Sequence, residues 1–229
     1  LVSSLERLLE RQERWSDLVD CWKSRIPSMS SEQALAQRLT IAACELDRLE
    51  GPEKALEQIE LVLGEPGHDE ARTIELLERI AGWEEASTDV RRRALDHLKK
   101  KYSDANRRED VVRIVEAALN LASDGERAAL HREVGQRMVT LERHEEAMAH
   151  FASLLRLEPT AVDAHQRLRD LAGRTGDSQG FAEALVTASD ACEQVETRVS
   201  LRLEAAETRR SVLNDAEGAT SLYHKVLEE

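Results

Sequence analysis

Apolar residues along this chain recur at alternating intervals of four and three. Leu35, Leu39, Ala42, Leu46 and Leu49 make one such stripe, the spacing that lines up side chains on one face of an α-helix. Leu130, Val134, Met138 and Leu141 make a second, and Val199, Leu203 and Ala206 open a third. The first stripe would suit a coiled coil, but it stops at Gly51-Pro52. Proline fits a first helical turn and breaks an interior one, so this dipeptide closes one helix and opens the next. Ser30 and Gln33, and Ser123 and Glu126, stand at capping-box spacing just ahead of two stripes. The pattern predicts thirteen helices, over 2–11, 14–26, 31–49, 52–63, 68–81, 84–101, 107–122, 125–142, 144–156, 161–173, 178–193, 196–213 and 216–228. No stretch reads as a strand. Short connections predict that successive helices are antiparallel neighbours.

One packing pattern recurs. An alanine is followed four residues later by a bulky side chain and four further on by leucine: Ala55-Ile59-Leu63, Ala147-Phe151-Leu155 and Ala219-Tyr223-Leu227. A pattern that returns at a distance predicts a stack of similar helix pairs. Ala147 and Ala219 are 72 residues apart, and Ala55 and Ala147 are 92 apart. The surplus of about twenty residues is enough for one extra helix and its turn, and it is expected over about 83–106, as an irregular joint.

In the middle copy Gly135 lies on the first helix of a pair, Ala147 and Phe151 lie on the second, and Pro159 follows it. Glycine, alanine, aromatic and proline at these offsets resemble the tetratricopeptide repeat. The small residues would let two helices approach, the aromatic would fill the gap to the next pair, and the proline would end the second helix. The first copy has Ala43 and Ile59 in place of the glycine and the aromatic. The third has Glu207 and Tyr223 there. The resemblance implies an all-α fold, an α-solenoid or right-handed superhelix of antiparallel helix pairs. It would run through residues 1–229 as a single segment, with its best repeat over about 125–160. The array looks like the long, irregular ones found in some large bacterial proteins.

Composition narrows the function. The formal net charge is −13, which repels phosphate backbones and predicts no nucleic-acid partner. No apolar run reaches the ~18 residues of a membrane span, so no membrane insertion is expected. Cys21, Cys44 and Cys192 are far apart with no CxxC pair, which predicts small buried thiols in a reducing, cytoplasmic setting. The chain starts at Leu1 and stops at Glu229 within helical pattern, as expected of a segment of a longer protein.

No catalytic, cofactor or metal site is expected. His68, His97, His131, His144, His150, His165 and His224 are scattered and form no HExxH pair. Gly173 to Gly176 and Gly64 to Gly67 read as helix-ending turns, because neither opens from a strand as a phosphate loop does. Two surfaces remain as docking candidates. In tetratricopeptide proteins the first helix of each pair lines a concave groove, and carried over by position it implies Thr40, Arg132, Gln136, Thr140 and Thr208. The second is a basic face in an acidic chain. Nine lysines and arginines fall between Arg91 and Arg113, among them Arg92, Lys99 and Arg107. Arg92 and Lys99, seven apart, share a helix face. The expected function is a non-catalytic protein–protein interaction scaffold that binds a peptide segment or a protein domain. The alternatives are a regulatory or sensor module of a signalling or transcription-control protein, and a spacer or self-associating solenoid.

Overall fold

A computed structural model describes residues 2–229, with side chains from Ser4 onward. The described residues form thirteen α-helices and no strand. They divide into two compact units, Leu1–Arg107 and Arg108–Glu229. The first holds α1 (Val2–Arg11), α2 (Trp15–Arg25), α3 (Ser31–Arg48), α4 (Pro52–Glu60), α5 (Glu70–Ala81) and α6 (Thr88–Asp104), with a short 3-10 turn at Ile26–Ser28. The second holds α7 (Arg108–Leu121), α8 (Asp124–Thr140), α9 (His144–Leu157), α10 (Val162–Thr175), α11 (Ser178–Asp190), α12 (Val195–Ser211) and α13 (Ala216–Leu227). Within each unit every helix packs on the next. Contacts also skip one helix, from α3 to α5, α4 to α6 and α9 to α11. That is the connectivity of stacked helix pairs.

The stripes fold as their spacing requires. Leu35, Leu39, Ala42 and Leu46 are buried on α3, as are Val134 and Met138 on α8. On α12 the buried face is Leu201, Ala205 and Ala206, whereas Leu203 is 41% exposed. The stripe there starts two residues later than the Val199-Leu203-Ala206 spacing implies. Cys44 and Cys192 are buried, and Cys21 is half-buried. Both capping boxes form. The Gln33 N–H donates to Ser30 Oγ, and the Ser30 N–H donates to Gln33 Oε1, each at 3.3 Å. At Ser123 the Glu126 carboxylate accepts both the backbone N–H at 3.0 Å and the hydroxyl at 2.6 Å.

Six connections share one backbone turn. A residue with positive φ sits two positions ahead of α2, α4, α7, α9, α11 and α13: Glu13, Glu50, Asn106, Glu142, Gly176 and Asn214. The next residue has nearly the same conformation at Arg14, Arg143 and Asp177, with φ near −85° and ψ of 66° to 68°. Its N–H usually reaches back to the preceding helix, as from Arg14 to Leu9 O (2.9 Å), Arg107 to Tyr102 O (2.8 Å) and Arg143 to Met138 O (3.0 Å). Left-handed backbone lets the chain reverse while the last carbonyls of the helix keep donors. The turns on either side of α5 are of another kind, with no such residue two positions ahead of α5 or α6.

Inside the repeat, substitutions compensate one another. A Cβ on Gly135 would meet the Phe151 ring at 3.0 to 3.3 Å, so the glycine is what admits the aromatic between α8 and α9. Where alanine (Ala43) replaces the glycine, the bulky position carries the slimmer Ile59, fully buried. Where Glu207 replaces it, the aromatic is Tyr223, whose hydroxyl donates to Glu207 Oε2 at 3.3 Å. Leu155 is buried, but its counterpart Leu227 is 82% exposed.

Candidate functional site

The groove candidates lie on the first helices of pairs. On α8, Gln136 and Thr140 are exposed and Arg132 is half-buried. Arg132 Nε donates to Asp163 Oδ2 at 2.9 Å, and its terminal nitrogen donates to Glu158 Oε2 at 2.8 Å. These bonds tie α8 to the start of α10. They raise the Arg132 pKa and hold the Asp163 carboxyl below its usual value. The next step of the same face is also tied. His165 and Arg169 of α10 meet Glu204 of α12 at 2.9 Å each. Burial works to raise the Glu204 pKa, but these two hydrogen bonds overrule it and hold it low. Thr140, Thr208 and Thr40 turn their hydroxyls to carbonyls of their own helices, those of Arg137, Glu204 and Ala36. Thr40 belongs to the other unit. The structure therefore brings Arg132 together with acidic partners. Its charge is compensated from within the array, and Gln136 is the groove candidate with an exposed polar end.

Between the starts of α10 and α12 there is an open groove lined by Pro159, Val162, His165, Gln194, Thr197 and Leu201. Val162 is exposed within it. Sequence reasoning passed over this groove, since its two walls come from connections more than thirty residues apart.

Several charges of the basic island are held within the first unit. Arg93 Nε and Nη2 donate to Glu60 at 3.2 and 2.6 Å, and His97 Nε2 lies 3.1 Å from the same carboxylate. Glu60 on α4 thus anchors α6. Burial opposes its charge, but the bonds from Arg93 and His97 hold its pKa below the usual value. Arg91 donates to Ala81 O at 3.1 Å, and Lys101 Nζ lies 3.6 Å from Glu70. Arg92 and Lys100 are exposed, and Lys99 is half-buried. Arg107 occupies the repeated turn, and its guanidinium lies 4.4 Å over the Tyr102 ring, a cation–π contact. Arg107 therefore helps to hold the end of α6 in place.

Trp15 and Trp22 are partly buried against Val19, Ile41 and Cys44, and Arg48 lies 4.9 Å over the Trp15 ring. Among the described residues no group of three or more histidine, cysteine or acidic side chains is arranged to hold a metal ion, and no helix is long and apolar enough to cross a membrane.

No protein-family model and no curated protein matches the chain. Solved structures similar to it include MamA, 13% identical over 76% of this chain and 92% of that one, with a TM-score of 0.35. A MamA structure from Desulfovibrio magneticus RS-1 is 15% identical over 87% and 96%, with a TM-score of 0.32. The C-terminal part of a TPR repeat-containing protein from Cytophaga hutchinsonii is 11% identical over 98% and 94%, with a TM-score of 0.35. Identities and scores this low leave the weight on the chain's own geometry: the Gly135–Phe151 approach, the buried Ala147, the helix that ends before Pro159, and the pair-to-pair contacts. By that geometry the chain is a tetratricopeptide-like helical repeat protein.

Proposed function

We propose that this chain is a non-catalytic protein-interaction scaffold, and that an acidic segment of a partner docks on the basic face of α6 that carries Arg92, Lys99 and Lys100. One observation carries this reading. Arg92 and Lys100 are exposed beside Lys99 on one helix, in a chain whose formal net charge is −13. A positive face on a negative protein attracts an oppositely charged surface and disfavours others. The helix is held from behind by the Glu60 bonds, so the face is preorganised. The test is capture of partners by wild type and by an Arg92→Glu/Lys99→Glu/Lys100→Glu variant, at low and raised salt. The reading expects a partner that is released by salt and lost in the variant. A partner retained by the variant would move docking to the α8–α10–α12 side, where Gln136 and Val162 are exposed.

A second reading is self-association. It is favoured by Leu5 and Leu8, which are three apart on α1 and both about half exposed. Sedimentation velocity over a range of concentrations tests it, and a Leu5→Ser/Leu8→Ser variant should stay monomeric where wild type does not.

A further inference from the structure

His131 on α8 and His150 on α9 face one another, Nδ1 to Nδ1, at 3.0 Å. The ring centroids are 5.2 Å apart. A separation that long across a contact that short means that each Nδ1 lies between the rings and points at the other. This is the geometry of a hydrogen bond. A metal ion in line, with the usual Zn–N distance of ~2.1 Å on each side, would need the nitrogens ~4 Å apart. The pair sits in the same interface as the Gly135–Phe151 approach, and Gly135 is one turn along α8 from His131. The His150 side chain is only 15% exposed.

The surroundings set which proton goes where. On α7, Glu116 Oε1 lies 3.8 Å from His150 Nε2, on the far side of the ring from His131. Glu146 on α9 also favours charge on His150, whereas Arg143, in the turn ahead of α9, opposes it. His131 feels Arg127 of α8 and Arg156 of α9, both of which oppose charge there. No group of α10 or α11 is among those acting on either ring. Burial is the largest influence on both and pushes both pKa values down. In the neutral pair one ring donates Nδ1–H and the other accepts. A first added proton can be housed on His150: its Nε2–H then faces Glu116, its Nδ1–H donates to His131, and His131 carries its own hydrogen on Nε2. A second proton leaves no acceptor. Two N–H groups then point at each other, and two positive rings share one half-buried space.

We propose that the His131–His150 pair is a proton-operated latch between α8 and α9, closed with no proton or one added and forced apart by the second. The latch makes the central helix pair of the second unit acid-sensitive. Two sites this strongly coupled titrate as a pair, in two macroscopic steps. The sign follows from linkage. Both rings take protons less readily folded than unfolded, so the stabilisation is whole above the unfolded histidine value of ~6.5 and is lost as pH falls below it, through the lowered folded values.

The decisive experiment is NMR of the imidazole nitrogens in the intact wild-type chain, titrated from pH 8 to 4.5, together with amide hydrogen exchange of α8 and α9. The expected result is two coupled steps, both below the ordinary histidine value, with His150 charged first. Amide protection of α8 and α9 should fall by about tenfold for each unit, summed over the two steps, by which the folded values lie below the unfolded ones. A His131→Gln variant should lose the coupled steps and most of the pH dependence of that protection. Independent titration of both rings near the ordinary value would overturn the proposal. So would protection that falls equally in wild type and variant. The wild-type titration stands whether or not the variant folds.

Discussion

Gly135 and Phe151 meet so closely that a methyl group on the glycine would stand 3.0 Å from the fully buried aromatic ring. Two effects of Gly135→Ala oppose each other. Alanine favours the helix by about 1 kcal/mol, whereas forcing a carbon against an immobile ring costs about 1–3 kcal/mol. The ring is fully buried among other side chains, so the clash should outweigh the helix gain and the variant should be less stable by about 1 kcal/mol. Adding Phe151→Leu should reverse the sign of the alanine effect, because the ring is what it strikes. Urea unfolding of the four members of this cycle measures the coupling. Additive effects would mean that the helices do not approach as described.

Tyr102 offers a test in the first unit. Its side chain is buried, and its hydroxyl donates to Glu78 Oε1 at 2.6 Å. Tyr102→Phe keeps the ring under the Arg107 guanidinium and removes only the hydroxyl. A hydrogen bond to a charged group contributes about 1.5–3 kcal/mol, so thermal unfolding should show a loss of about 2 kcal/mol. A change near zero would place the Glu78 carboxylate elsewhere in solution.

Glu204 should give the second unit a dependence on acid of its own. The bonds from His165 and Arg169 hold its folded pKa low. The stabilisation it brings is therefore complete above the unfolded glutamate value of ~4.3 and is lost as pH falls through the lower folded value. The difference in melting temperature between wild type and Glu204→Gln should shrink as pH falls below ~4.3. The loss begins below ~6.5 for the histidine latch and below ~4.3 for Glu204, so the two onsets lie apart along the pH axis.

Glu142 carries a φ of 60° in the turn between α8 and α9. A side chain in left-handed backbone costs about 1–2 kcal/mol, part of which glycine recovers at the expense of a looser unfolded chain. Glu142→Gly should raise stability by up to about 1 kcal/mol in urea unfolding, and Glu142→Val should lower it. If both lower it, the Glu142 side chain has a role other than the turn.

These residues show which parts of the molecule can be read without coordinates. The stripe of Leu35 to Leu46, the box at Ser30 and the Gly135–Ala147–Phe151 spacing are local, and one-dimensional periodicity reports them directly. The stripe of α12 was read out of phase because Leu203 is as apolar as the buried Leu201, and only packing tells them apart. His131 and His150 looked scattered because their meeting depends on how two helices cross, and periodicity carries no crossing angle. Arg132 reads as a groove residue by its position, and only packing shows that Asp163, 31 positions away, bonds to it. The repeated turn had a faint signature: Glu13-Arg14 and Glu142-Arg143 repeat a dipeptide, and Asn106 and Asn214 are asparagines that tolerate left-handed backbone. Glutamate has no such preference, so the signal was weak at three of the six turns.

The two kinds of connection differ in how freely they vary. The turns with a left-handed residue are two to four residues long, whereas the others run from two residues to the nine of 61–69. The first kind of connection is thus stitched to a fixed pattern and the second is tailored. New sequence can be added to a tailored connection without disturbing a helix pair, and the span from Gly64 to Gly67, exposed and with open space around both glycines, is the natural port. A reporter or recognition loop grafted there would ride on the scaffold as a passenger. The same graft between Glu142 and Arg143 would cut a stitch.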